Sequence, residues 1–320
     1  MSGSIATVEE SVTQLPRCRR NTFKKAVLVN WQLYLFVLPA VAYLIIFMYI
    51  PMYGAQIGFR DYRPTLGFWG SPWVGMKHFI RFFNSYYFET VIKNTLTLTG
   101  LSLALGFPLP VILALLLNEI NNNKYKKLIQ TVSIGPYFIS TVVLCGMVML
   151  FLNPTSGVLN HLQALLGFER INYLQDAGLF KWIYVLSGIW QQTGWSSIIY
   201  FAALSSASPE LVEAAQIDGA NKLQRIIHIK FPVLVPTIVI LLTLQCGSLF
   251  SVGYEKAYLL QNEVNIRASE VISTYVYQAG LIDADFSFSA AVGLFDSVLN
   301  CTMLILVNYI VRRYNESSLW

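Results

Sequence analysis

Residues Pro209 to Pro236 read PELVEAAQIDGANKLQRIIHIKFPVLVP, a polar insert with amphipathic helix signals lodged between two apolar segments. Ser208 before Pro209 predicts an N-cap and then a first helical residue whose missing N–H costs nothing there, with Glu210 complementing the positive helix end. Leu211, Ala214 and Ala215 fall on one face by the i, i+3, i+4 rule, while Glu210 and Glu213 share another. Asp218 and Gly219 end that helix, because glycine tolerates the left-handed turn a helix end needs. A second short helix is expected next, apolar on Leu223, Ile226 and Ile227 and polar on Lys222, Arg225 and His228. Pro232 and Pro236 then mark the start of the next apolar run. Two short helices bent at a glycine make a surface knob, and it carries no nucleophile with a base and no metal cluster.

Outside this insert the chain reads as membrane. Of its 320 residues 55% are hydrophobic and only 12% charged, whereas a soluble domain carries about 25% charged residues. Six apolar runs are long enough to cross a hydrocarbon core, which needs ~20 helical residues each. They lie near Leu33 to Tyr53, Val91 to Leu117, Leu128 to Leu152, Lys181 to Leu204, Val233 to Val252 and Phe288 to Val311. The expected fold is all-α and polytopic: a tail over residues 1–30 and a six-helix membrane domain over 31–320, with the insert (205–232) between the fourth and fifth spans. Basic residues set the orientation. Arg17, Arg19, Arg20, Lys24, Lys25, Lys124, Lys126, Lys127, Lys222, Arg225, Lys230, Arg312 and Arg313 all fall on one side. Those are 13 of the 22, and the other 9 are spread over longer loops, so the insert and both termini are expected in the cytoplasm. The tail cluster reads either as this topology anchor or as a site for anionic lipid. The net charge of +5 follows from the same bias, and no basic stripe interleaved with aromatics points to nucleic acid. Cys18, Cys145, Cys246 and Cys301 have neither metal nor redox spacing, which leaves them as small hydrophobes.

Several stretches carry polar groups where lipid would penalise them. The fourth span, KWIYVLSGIWQQTGWSSIIYFAAL, holds Trp190, Gln191, Gln192, Trp195, Ser196 and Tyr200. Indole faces with amide donors and acceptors suit a sugar pathway; glutamines equally glue neighbouring helices. Gln245 lies in the fifth span, and Asp296 and Asn300 lie one turn apart in the sixth. An intramembrane carboxylate marks a pathway or a helix contact. If Asp296 lined the path it would argue against an acidic polymer as cargo. Pro108 and Pro110 should kink the second span. Between Gly54 and Thr90, Phe79, Phe82, Phe83 and Tyr86 have helical spacing, which predicts an amphipathic helix lying on the outer surface, for packing or for cargo contact.

Over the insert, the chain resembles the EAA loop of permease subunits of binding-protein-dependent ABC importers. Glu213, Ala214, Ala215, Asp218, Gly219, Ala220, Ile229 and Pro232 stand in register, with Phe231 where leucine is commoner. The stretches GMKHFIRFFNSYYFETVIKNTL, GFPLPVILALLLNEI and AAVGLFDSVLN resemble the permeases for complex carbohydrates, including alginate and related oligosaccharides. The resemblance implies a multi-pass subunit of the bacterial cytoplasmic (inner) membrane, usually paired as a heterodimer with a second permease. It also implies a cytoplasmic ATPase dimer that docks on the insert as a coupling helix, and an extracytoplasmic sugar-binding protein. The chain has no G-x-x-x-x-G-K-[ST] loop, so it is read as a pore-forming subunit rather than an enzyme. It needs no cofactor of its own; ATP and Mg would be bound by the partner ATPase. The competing class, a self-contained secondary transporter or channel, would want an inverted repeat, interrupted half-helices or an ionisable relay, and the sequence offers no convincing repeat. A membrane-embedded enzyme would want clustered ligands, and His78, His161 and His228 lie far apart.

Overall fold

Proline placement decides where the long apolar runs stay straight. In the computed structural model, which describes residues 30–314, helix α1 (Trp31–Leu44) passes through a widened turn at Ile45–Tyr49 into Ile50–Met52. There Ile50 N–H donates to the Ile45 carbonyl, one residue further back than in an α-helix, just before Pro51. Such a turn makes room beside a residue that has no N–H and whose ring crowds the preceding turn. The Arg17 to Lys25 cluster, Cys18 and the chain after Tyr314 lie outside the described residues. Residues up to Ala55 form a unit of their own, and the most apolar window of this helix has no residue buried within the chain.

The second unit, from Gln56, contains α2 (Lys77–Phe83), α3 (Phe88–Gly106), α4 (Pro108–Asn118), α5 (Asn123–Ile134), α6 (Thr141–Phe151) and α7 (Val158–Leu165). It continues with α8 (Ala177–Leu204), α9 (Pro209–Ile217), α10 (Lys222–Arg225), α11 (Phe231–Cys246), α12 (Tyr254–Leu260), α13 (Ile266–Ser269), α14 (Ile272–Tyr277) and α15 (Phe286–Tyr314). Among the described residues the only strand-like pairing is one isolated bridge between Arg60 and Trp73. α3 and α4 form one apolar stretch of 31 residues, interrupted only at Phe107, which keeps helical dihedrals just before Pro108.

Two expectations need correction. The run from Leu128 to Leu152 is not one straight helix: the segments Asn123–Phe138 and Thr141–Phe151 meet at 98°. Pro136 tightens the end of the first segment, and Ser140 caps the second by accepting from Val143 N–H. Nor is the second half of the insert a separate short helix. Lys222–Cys246 is continuous over 25 residues, so the fifth span begins at Lys222. A second widened turn, Ile226–Lys230, ends two residues before Pro232, repeating the arrangement before Pro51, and it carries the helix past the proline. α2 has the apolar face that its spacing predicts and packs it within the chain, while Ile80 and Arg81 on its other side are exposed. It stops at Phe83, leaving Tyr86 off the helix, and buries Phe79 and Phe82. The Phe82 ring meets Phe88, Tyr275, Phe288 and Phe295, and Arg81 donates to Asp285 at 2.6 Å.

Four helices are long and apolar enough to cross a membrane, or five if the bent pair counts as one. α8 has the length, 28 residues, but its amides, hydroxyls and glycines keep it out of that group. It is nevertheless the centre of the unit, packing on α3, α4, α5, α11, α12 and α13. One core joins Leu98, Phe180, Val185, Ala257 and Val271; another joins Val111, Ala114, Tyr200, Leu204 and Leu234. The most polar long helix is therefore also the one packed on by the most neighbours, which gives its amides and hydroxyls protein partners.

Candidate functional site

The insert folds as its sequence predicts up to Gly219. Ser208 is the N-cap residue by backbone conformation, although its hydroxyl makes no cap bond, and Pro209 opens α9. At the far end Gly219 takes φ +84°. Ala220 N–H donates to the Ala215 carbonyl at 2.9 Å and Gly219 N–H to the Gln216 carbonyl at 3.2 Å. That pair of bonds is a Schellman closure, which requires the left-handed residue. Asn221 then caps α10 in a box with Gln224, each side chain bonding the other's backbone N–H, a signal the sequence reading passed over. Arg225 donates to Gln216 at 2.9 Å and ties the two arms across the bend.

No residue of α9 is buried, Glu213, Ala214 and Ala215 included, and Asp218, Gly219 and Ala220 follow it on the surface of the bend. Leu211 is 61% and Ile217 87% exposed. The bend is closed by backbone and side-chain bonds, yet Leu211 and Ile217 stay largely exposed on it. One contact links it inward: the Lys230 ammonium pairs with the Glu119 carboxylate at the end of α4, both largely buried. The pair ties the second arm of the bend to the end of α4.

A cavity of about 840 Å³ runs along α8. Gln191, Gln192, Trp195, Ser196, Tyr200 and Gln245 line it, so six of the nine residues singled out in the fourth to sixth spans come together. Trp190, Asp296 and Asn300 are not among its lining residues. Asn300 Nδ2 donates to Asp296 and to Ser251, and its Oδ1 accepts from Phe250 N–H, so this pair closes the turn after α11.

Two of the lining residues also hold helices together. Gln191 Nε2 donates to the Ile139 carbonyl at 2.8 Å, inside the break between α5 and α6, and Trp195 stacks on Tyr137 with centroids 4.3 Å apart. The two readings of these groups are therefore separable by neighbouring substitutions. Gln191→Ala is expected to cost about 1 kcal/mol of stability by leaving a partly buried carbonyl without its partner. Gln192→Ala, at an exposed position on the same wall, is expected to leave thermal stability unchanged and raise the KM for the solute that the cavity takes. Melting curves and uptake kinetics of the two variants check this; identical profiles would refute the division.

Sequence reasoning missed Lys256. It sits on α12, outside the long apolar helices, yet its side chain is buried and lines the same cavity. Nζ donates to the Tyr184 carbonyl at 2.6 Å and lies 4.6 Å from the centre of the Tyr184 ring. Burial pulls its ammonium down to about 8, which leaves it mostly charged at neutral pH. The only hint in the sequence was a lysine followed by AYLL, in a stretch treated as an external loop.

A second cavity, about 1180 Å³, opens at the other end of α8 from the elbow, among Tyr86, Lys93, Lys181, Arg267 and Asp283.

The family model described as "Binding-protein-dependent transport system inner membrane component" matches residues 106–316. The polygalacturonan/rhamnogalacturonan transport system permease protein YteP of Bacillus subtilis (strain 168) is 42% identical over 288 residues, covering 90% of each chain. Protein LplB of the same organism is 41% identical over 288 residues, 90% of this chain and 91% of LplB. Among solved structures, the bacterial alginate ABC transporter in complex with alginate pentasaccharide-bound periplasmic protein contains a similar chain. It aligns with a TM-score of 0.85 and 39% identity, covering 92% of this chain and 99% of that one.

Proposed function

The chain belongs to the family of binding-protein-dependent transport system inner membrane components, and on that premise we propose that it is one transmembrane half of an ABC importer for oligo- or polysaccharide. Its elbow, Glu213 to Ala220, receives a separate cytoplasmic ATPase. A second permease completes the membrane core, most simply as a heterodimer, and an extracytoplasmic sugar-binding protein delivers cargo to the cavity at the far end of α8. ATP and Mg are held by the ATPase, not by this chain.

The observation that carries this reading is the elbow itself: a closed, doubly capped bend with bare apolar side chains, tied by Lys230 and Glu119 to the α3–α4 stretch. Transport proceeds by alternating access. The ATPase favours one state only by binding the elbow differently in the two, and that differential affinity is the work delivered to the membrane helices. The chain crosses the bacterial inner membrane six times, with α8 and the bent α5–α6 pair each counted as a span. The basic residues flanking the elbow, Lys222, Arg225 and Lys230, support a cytoplasmic elbow with both termini on the same side. The carbohydrate named for YteP and for the alginate transporter supports a saccharide cargo here.

The test is reconstitution with the second permease, the ATPase and the binding protein. Saccharide uptake should require all of them and ATP. Uptake by this subunit without a nucleotide-hydrolysing partner would instead establish the channel or secondary-transporter reading. Topology is read separately: a single cysteine at position 213, in a chain whose own cysteines are replaced, should react with an impermeant thiol reagent in inside-out vesicles only.

A further inference from the structure

A cationic side chain buried beside a cavity and matched to no anion is expensive unless something else supplies the negative charge. Lys256 is in that position. Among the described residues no carboxylate pairs with it; its one protein acceptor is the Tyr184 carbonyl. Of the cavity's lining residues only Glu255 and Lys256 are charged, and Glu255, a helical neighbour pointing about 100° away, is exposed to solvent. The ammonium also has a prepared seat. A Cβ at Gly188 would lie 2.9 Å from Nζ, so the lysine occupies the notch that a glycine in α8 leaves open. Along the wall from this notch stand Gln192, Trp195 and Gln245, amides and an indole that suit sugar hydroxyls and sugar faces. Asp296, the intramembrane carboxylate, is turned to Asn300 and does not line this cavity, which leaves the solvent-exposed Glu255 as its one lining carboxylate.

We propose that Lys256, seated against Gly188, reads the carboxylate of an acidic saccharide as it passes along α8, making this cavity selective for uronate-containing chains over neutral ones. The proposal rests on the importer reading above. Tyr184 takes up one of the three ammonium donors, which leaves two for a carboxylate, and a compact ammonium on a flexible stem reads a moving anion as a point charge. Gly188 is a positioning residue: any larger side chain displaces Nζ from the wall.

The experiment uses the whole reconstituted transporter. Uptake is measured for oligouronates prepared from alginate and from polygalacturonan, each against its carboxyl-reduced counterpart of equal length. Lys256→Met is expected to lower the kcat/KM for the favoured uronate on the order of tenfold or more, while uptake of the reduced chain is unchanged or improved. Lys256→Arg should recover part of the loss, and Gly188→Ala should shift the same acid-to-neutral ratio without touching a charge. An equal fall for acidic and neutral chains in Lys256→Met overturns the proposal in favour of a packing role, as does a wild-type transporter that prefers the reduced chains. Failure of the wild-type assembly to move any saccharide sinks the importer reading instead, so the two failures are distinct.

Discussion

Gly219→Pro is expected to abolish ATP-driven uptake while the subunit still inserts and still copurifies with the second permease. The reason is confined to the backbone. A Cβ at Gly219 meets nothing within 4 Å, so crowding is not at issue. What matters is φ of +84°, which proline, fixed near −65°, cannot adopt. Proline also deletes the N–H that donates to Gln216, and with the turn gone the Ala220 to Ala215 bond and the Arg225 to Gln216 tie lose their geometry. α9 would then leave the position that the ATPase must meet. A graded series isolates the cause. Asn, which visits the left-handed region with little strain, should transport nearly as well as wild type. Ala, strained by about 1 kcal/mol, should fall between. Uptake, membrane abundance and ATPase copurification are measured together. Wild-type uptake by the well-expressed proline variant would remove the elbow from the coupling path, and equal loss by all three variants would show that something other than φ matters there.

The elbow was legible because each of its features is local. Pro209 at the first helical position and Gly219 at the left-handed turn are decided by their own backbone preferences, and both stand as the sequence implies. Features that depend on distant partners were harder to read. The run from Leu128 to Leu152 reads as one span, whereas the 98° bend within it is flanked by contacts to Gln191 and Trp195, some fifty residues on. Helical spacing of Phe79 and Phe82 predicted one apolar face, but the rings that Phe82 meets, Phe288 and Phe295, lie some two hundred residues on and could not be read from the spacing. In α8 the alternatives of glue and pathway were posed as exclusive. The structure has Gln191 and Trp195 bonding a neighbour while lining the cavity, since a helix wall facing a ligand space has edges that must also be sealed. Lys256 escaped notice because its significance arises wholly from Gly188 and Tyr184, neither of which is near it in the chain.

The second large effect is expected at that seal. A Cβ placed on Gly194 would lie 1.9 Å from the Ser133 carbonyl oxygen, 2.3 Å from its carbon and 2.8 Å from Ile134 N. All three are backbone atoms of α5, so no side chain can swing aside. The contact is also flanked on both sides: Gln191 holds the Ile139 carbonyl one turn before it, and Trp195 stacks on Tyr137 immediately after. Three consecutive attachments thus pin the bent pair to α8, and moving α5 back to admit a methyl group would strain the other two. Gly194→Ala should therefore cost about 3 kcal/mol or more, at the upper end for overpacking, and Gly194→Val should fail to accumulate as folded subunit. Gly100→Ala, in α3 where a Cβ meets open space, serves as the control and should be neutral or slightly stabilising. Thermal melting of the detergent-purified assembly distinguishes them. Equal melting temperatures for Gly194→Ala and Gly100→Ala would mean that α5 and α8 do not touch there. The cavity wall would then lose its fixed side, and with it the geometry from which a cargo path along α8 is argued.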